Sequence, residues 1–315
     1  MQINLKKKTH KRQPLLNMNM NMNQLKPRPN SNIPHTNKII KKVIHVYQLH
    51  FKNQHTIFGL GDFLRGSFCL LQICNKHRVQ FDIDVSNHPI SNYMEGQIKN
   101  PYVNYNKIET SNTVNDIVNP INTCKTITQT LKNVTTENYY TCTNAFPPFE
   151  IKQSEIEFIK SRIEPNIAMK TVIEQEMLSL NLVSKQFSVI HIRTGDEFLL
   201  KDSILCKDWI EMIFALLTPI LKNTANKYLI LSDNNQLKML LKKYDNCVVQ
   251  IKPITHLGED PLVKNENVKN TMMDFYLMSH SKEIYAISRY GHGTGFSKWC
   301  SVLNNIPYKI TQLLR

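Results

Sequence analysis

Residues 188–198 read SVIHIRTGDEF and combine a strand-like apolar run with a cluster of polar and charged residues. Its first residues are apolar and β-branched, which is typical of a buried strand. The run ends in His191, Arg193, Gly195 and Asp196. Three interpretations are open at this point: an ordinary polar turn, a metal site, or an arginine that binds a phosphate. The planar guanidinium of Arg193 suits bidentate contact with a phosphate, and pairing with Asp196 is the purely structural alternative.

Strands and helices alternate on the C-terminal side of this stretch. The predicted strands are QFSVIHIR, KYLILSD, CVVQI and EIYAIS, and the predicted helices are CKDWIEMIFALLTPILKNT, NQLKMLLKKY, VKNTMMDFYLMSHS and FSKWCSVLNN. Such alternation is typical of a parallel sheet that is covered by helices on both faces.

A similar alternation of predicted strands and helices precedes residues 188–198. The run IIKKVIHVYQL predicts a strand, a Gly-x-Gly turn follows at Gly59 and Gly61, residues 62–74 have helical spacing, and VQFDIDV predicts a second strand. This order indicates a βαβ unit. Residues 87–150 are polar and predict loops and short helices.

We therefore predict an α/β protein of two Rossmann-like lobes. The N-terminal lobe would span residues 39–180, and the C-terminal lobe residues 181–315. In the join between them, a helical pattern begins near a predicted N-cap at Ser154 and is broken by Pro165. Residues 1–38, with an Asn-Met repeat and no apolar periodicity, predict a disordered basic tail.

The net charge of +14 is concentrated at the start of the chain. Residues 1–42 carry ten Lys or Arg and no acid, which leaves about +4 for the remaining residues. A body that is only mildly basic argues against a nucleic-acid-binding protein, so we expect nucleic-acid contact, if any, to be confined to the tail.

The seven cysteines are scattered and form no C-x-x-C pair, which favours reduced thiols. The sequence shows no signal-peptide-like segment and no window of roughly 18 apolar residues, so we expect a cytosolic protein without a membrane span. The Asn- and Lys-rich bias suits an AT-rich genome, such as that of a large virus or a protist.

Four polar clusters follow predicted strands: GLGD at 59–62, HIRTGD at 191–196, SDN at 232–234 and SRYGHGTGFS at 288–297. The carboxyl ends of parallel strands lie at one edge of a sheet, so these clusters should converge. Two of them are glycine-rich turns before helices, where backbone amides favour an anion. Ordinary turn chemistry explains either turn alone, but with Arg193 they predict a pyrophosphate site. FDID at 81–84 fits a strand end better than a metal-binding Asp-x-Asp motif.

The ordered series GLGDFLRG, HIRTGD, LSD and MMDFYLMSHSKEIYAISRYGHGTGFSKWCSVLNNIPY resembles the GDP-fucose-dependent fucosyltransferases of the α1,2, α1,6 and protein O-linked types, which have a GT-B-like fold. The resemblance covers residues 43–310 and is most specific over 187–310. Two positions depart from the family pattern. Thr194 replaces the second arginine of the α1,2 enzymes, and Asp62 replaces a common asparagine.

The resemblance implies an inverting transfer of fucose from GDP-fucose to a hydroxyl of a glycan or protein, with no metal or cofactor. It also implies that residues 39–180 form the acceptor side and that residues 181–315 bind the nucleotide sugar. Arg193 would bind the β-phosphate with His191 nearby, Asp233 would lie on the nucleoside side, and Asp62 is our candidate base. The full set of predicted substrate-binding residues is Gly59, Gly61, Arg65, His191, Asp196, Asp233, Thr294, Gly295, Phe296 and Ser297. Another sugar-nucleotide transferase of the same fold and a catalytically silent relative are the alternatives.

Overall fold

The computed structural model of the chain describes residues 42–52, 59–110, 120–133, 136–195, 204–258, 264–290 and 293–313. Three short parallel strands, β1 (Lys42–Val46), β2 (Gln80–Asp84) and β3 (Asn138–Thr141), form the first sheet in the order β2-β1-β3. The predicted βαβ unit is confirmed, because helix α1 (Leu60–His77) connects β1 to the parallel strand β2.

The second sheet is also parallel. Its strands are β4 (Ser188–Arg193), β5 (Tyr228–Ser232), β6 (Cys247–Val249), β7 (Glu283–Ser288) and β8 (Tyr308–Gln312), in the order β6-β5-β4-β7-β8. The central strand β4 is buried along most of its length, which agrees with its apolar, β-branched sequence.

Seven further α-helices are described besides α1. They are α2 (Pro120–Asn133), α3 (Gln153–Arg162), α4 (Ile167–Ser179), α5 (Lys207–Leu221), α6 (Asn235–Leu241), α7 (Asn265–Ser279) and α8 (Gly295–Leu303). Pro165 separates α3 from α4 as predicted. The predicted N-cap at Ser154 is wrong, because α3 begins at Gln153, where the Glu155 carboxylate accepts a hydrogen bond from the Lys152 N–H at 3.0 Å.

Two strands were missing from the sequence prediction. Residues 87–150 contain 3₁₀ helices at Pro89–Tyr93 and Tyr105–Lys107 and the helix α2, but also strand β3. Strand β8 follows the last helix. Both strands lie at sheet edges and are largely exposed or half-buried, so their sequences lack the apolar run that marks a central strand.

The apolar core joins the two sheets. One continuous cluster of buried side chains runs from β1 and α1 to α7 and α8, and the Phe68 and Trp299 rings stack within it at a centroid distance of 5.3 Å. A second cluster fills the other face of the second sheet beneath α5 and α6. Both faces of the second sheet are therefore covered, as its apolar strands require.

The predicted fold class is confirmed: the chain is an α/β protein built on two parallel sheets. The first sheet ends at Thr141 and the second begins at Ser188, and the lobe boundary at residue 180 stays a prediction. Residues 1–38, the predicted disordered tail, lie outside the described residues. Among the helices that the structure describes, none combines the length and the apolar character needed to span a bilayer.

Candidate functional site

The strand order predicts where a ligand binds. In open parallel sheets, ligands bind beyond the carboxyl ends of the strands at which the order of the strands reverses. These positions lie between β1 and β3 in the first sheet and between β4 and β7 in the second. The segments that follow β1, β3 and β7, together with the last residues of β4, line one cavity of about 910 Å³, a volume in the usual range of ligand sites.

This cavity brings together most of the residues predicted from the sequence. Those that line it are Gly59, Gly61, Asp62, Arg65, His191, Arg193, Asp233, Thr294, Gly295 and Phe296. Ser297 is buried just behind the lining, with its hydroxyl oxygen 3.3 Å from that of Tyr308. Asp196 lies outside the described residues.

Asp233, at the carboxyl end of β5, holds the side chain of Arg193 in place. Its Oδ2 accepts a hydrogen bond from Arg193 Nη1 at 2.8 Å. The same carboxylate accepts hydrogen bonds from the N–H groups of Thr194 and Gly195 and from the Thr194 hydroxyl, at distances of 2.8 to 3.1 Å. Four donors on one buried carboxylate fix the guanidinium at the cavity wall.

His191 precedes Arg193 on the same face of β4 and is 8% exposed. Burial lowers its pKa to about 3, with smaller contributions from the charges of Arg193 and Lys238, so the imidazole is neutral near pH 7. Its Nδ1 is buried and has no hydrogen-bond partner among the described residues. A buried polar atom in a cavity wall is satisfied when a ligand supplies the missing hydrogen bond.

The two predicted glycine turns meet at the floor of the cavity. A Cβ on Gly61, in the first turn of α1, would overlap the backbone of Gly295 and Phe296 at the start of α8. Glycine at position 61 therefore permits direct contact between the N-terminal ends of the two helices. The first residues of both helices line the cavity. Their backbone amides carry partial positive charge there, which favours an anionic ligand.

Asp62 and Arg65, both in α1, also line the cavity. Their side chains make an ion pair with Arg65 Nη1 3.0 Å from Asp62 Oδ1, and the Asp62 side chain is 39% exposed. Arg65 Nε donates a hydrogen bond to the Asn144 carbonyl. The Arg65 guanidinium also lies 4.3 Å from the ring centroid of Phe146, in the loop after β3.

Several residues of this cavity were not predicted from the sequence, above all Asp274 in α7, which is 8% exposed. Burial raises its pKa to about 6, although the charges of Lys238 and Lys252 oppose the shift. An acid inside the apolar run TMMDFYLM is the signal that could have identified it. His256 and Lys298 also line the cavity; Lys298 directly follows the predicted residues 294–297, whereas His256 comes from a loop with no motif of its own.

The FDID segment forms β2, as predicted. Asp82 pairs with Lys42 and Arg162 at 2.6 and 2.9 Å, and Asp84 accepts a hydrogen bond from the Tyr105 hydroxyl at 2.7 Å. Across the described ranges, no three His, Cys, Asp or Glu side chains are grouped closely enough to hold a metal ion.

No protein-family model matches the sequence, and no curated protein matches it. Solved structures do resemble the fold. Fucosyltransferase NodZ from Bradyrhizobium is 11% identical, with 84% of this chain and 92% of that chain covered at a TM-score of 0.51. NodZ α-1,6-fucosyltransferase co-crystallised with GDP gives 10% identity, the same coverage and a TM-score of 0.50.

A mutant of FUT1 from Arabidopsis thaliana in complex with GDP is 11% identical, with 89% of this chain and 72% of that chain covered at a TM-score of 0.54. Identities this low are informative about the fold only. The chain has the two-sheet, GT-B-like fold of these proteins.

Proposed function

We propose that this protein is an inverting, metal-independent fucosyltransferase that moves fucose from GDP-fucose to a hydroxyl of an acceptor. The observation that carries the proposal is the convergence of Arg193 and two helix N-termini on one cavity between the two sheets. The fold supports it, because similar structures include a fucosyltransferase co-crystallised with GDP.

The phosphate-binding part of the proposal depends on charge. Arg193 lines the cavity with its side chain fixed by Asp233, and Lys298 in the first turn of α8 adds a second cation. The backbone amides at the start of α8 direct their partial positive charge toward the same cavity. These groups would stabilise the negative charge that develops on the departing GDP, a role worth about 3 kcal/mol per donor in other enzymes.

Asp274 supports a guanine base over other nucleobases. A carboxylate can accept two hydrogen bonds from the N1–H and amino group of guanine, whereas adenine and uracil do not present this pair of donors. Asp274 is buried at the cavity wall, and Thr271, one turn earlier in α7, lines the cavity beside it. Donors on guanine would favour the ionised form of Asp274.

Asp62 is our candidate for the base that takes the proton of the acceptor hydroxyl. It lines the cavity from α1, which follows β1 of the first sheet, whereas Arg193 ends β4 of the second sheet, and the Asp62 side chain is partly exposed. General-base catalysis of this kind contributes about 10² to 10⁴ in rate. Asp62→Asn should therefore bind GDP-fucose like the parent and lose transfer.

The first test is calorimetric titration of the full chain with GDP-fucose, GDP-mannose and UDP-glucose, each with and without EDTA. We expect binding of GDP-fucose that EDTA leaves unchanged. Arg193→Ala should weaken it by about 2 to 4 kcal/mol, because it removes a charged partner of the pyrophosphate. Arg162→Ala is the matched control, since Arg162 pairs with Asp82 and does not line the cavity.

Absence of guanine-nucleotide binding by folded protein would refute the proposal. Preference for a UDP-sugar would indicate another sugar-nucleotide transferase of this fold. Binding of GDP-fucose with neither hydrolysis nor transfer would indicate a catalytically silent relative.

A further inference from the structure

A loop at the edge of the cavity carries two exposed phenylalanines. It follows β3 and reads CTNAFPPFEI at residues 142–151, with Phe146 40% and Phe149 53% exposed. Phe146, Pro147 and Ile151 line the cavity, whereas Phe149 does not. The proposed donor site uses none of these residues.

Side chains of α1 hold this loop rigid. Arg65 donates a hydrogen bond to the Asn144 carbonyl and covers one face of the Phe146 ring at 4.3 Å. Gln72 donates to the carbonyls of Phe149 and Glu150 at 3.3 and 3.2 Å, and its Oε1 accepts from the Phe149 N–H at 3.0 Å. The exposed Phe146 ring is therefore held in one orientation before any ligand arrives, which lowers the entropic cost of binding.

The chemistry of this edge fits a sugar. Many hexopyranoses gather their axial C–H groups on one face, and such a face packs well on the negative face of an aromatic ring. Asp62 and Arg65, next to Phe146, offer a carboxylate and a guanidinium to sugar hydroxyls. An extended peptide is a poorer fit, because backbone groups of residues 144, 149 and 150 already bond to α1 side chains.

We propose that the acceptor is a glycan, and that one of its hexopyranose rings stacks on Phe146 at the cavity edge. This inference rests on the proposed function, because it assigns the acceptor of the same site. Stacking of the acceptor there would bring its hydroxyl groups to the wall that contains Asp62.

The test is binding of the full chain, saturated with GDP, to an array of neutral oligosaccharides of glucose, galactose and N-acetylglucosamine. We expect binding to a subset of these glycans that Phe146→Ala weakens about five- to tenfold, the range expected for loss of an aromatic contact. Phe146→Trp should keep the binding. Phe149→Ala is the matched control and should bind like the parent, because Phe149 is an exposed phenylalanine of the same loop that does not line the cavity.

Calorimetry of GDP on the same preparations separates the two proposals. Retained GDP binding without any Phe146-dependent glycan binding overturns the glycan inference and leaves the donor proposal intact. Fucosylation of serine- and threonine-containing peptides, without fucosylation of any oligosaccharide on the array, would likewise overturn the glycan inference and leave the donor proposal intact. Absence of GDP binding refutes the proposed function, and Phe146-dependent glycan binding would then still support a glycan site at this loop.

Discussion

We expect His191 to have opposite effects on folding and on binding. Its Nδ1 is buried without a hydrogen-bond partner among the described residues, and burial lowers the pKa of its ring to about 3. An unsatisfied buried polar atom costs about 1 to 3 kcal/mol of stability. A residue that costs stability in the ligand-free protein while lining the cavity is typical of a binding site.

Replacing His191 tests whether this residue lowers the stability of the protein and strengthens ligand binding. We expect His191→Leu, which keeps the volume and removes the polar atoms, to raise the free energy of unfolding by about 1 kcal/mol. The same change should weaken GDP-fucose binding about tenfold, since the ligand loses a hydrogen-bond partner. Urea unfolding and calorimetry measure the two effects. Lower stability together with unchanged affinity would show that His191 is only a core residue.

At the scale of elements, the contact between α1 and α8 sets the position of both helix ends that we propose to bind the pyrophosphate. Gly61 lies in the first turn of α1 and Gly295 begins α8, and their backbones touch. The two positions differ in the space available for a Cβ atom. A Cβ on Gly295 would lie 3.6 Å from the nearest atoms of Gly61, which is ordinary contact, whereas a Cβ on Gly61 would overlap the Gly295 backbone.

This asymmetry gives a matched pair of variants. Gly61→Ala should destabilise the protein by about 1 to 3 kcal/mol, because the two backbones must separate to admit the methyl group. Gly295→Ala should change stability by less than about 1 kcal/mol. The measurement is the urea midpoint of each variant against the parent. Equal effects of the two substitutions would contradict the close approach of these helices.

At the scale of the whole molecule, three of the histidines that the structure describes are buried in neutral form. Burial lowers the pKa of His45 to about 3, of His88 to about 4 and of His191 to about 3. His45 is held between Ser67 and Thr143, and His88 bonds to the Leu257 carbonyl at 2.8 Å. All three therefore take up a proton when the chain unfolds below pH 6.5.

Stability should consequently fall as the pH is lowered from 7 to 5. Asp274 acts in the opposite sense, because its raised pKa of about 6 lets the folded protein keep a proton that the unfolded chain loses above about pH 3.8. About two protons are then taken up on unfolding near pH 5, which corresponds to a loss of about 3 kcal/mol per pH unit. Urea unfolding at several pH values measures this slope. His191→Leu should reduce this slope. A free energy of unfolding that does not change between pH 7 and pH 5 would refute the prediction.

The sequence by itself determined the α/β class, the βαβ start and the placement of Arg193, His191 and the glycine turns at strand ends, because strand and helix periodicity is local. It could not reveal the edge strands β3 and β8, which depend on pairing with distant strands. Nor could it assign Asp233 as the partner of Arg193, place Asp274 in the cavity or bring Phe146 to its edge. Those contacts join residues far apart in the chain, and only the order of the strands and the packing of α1 against α8 decide them.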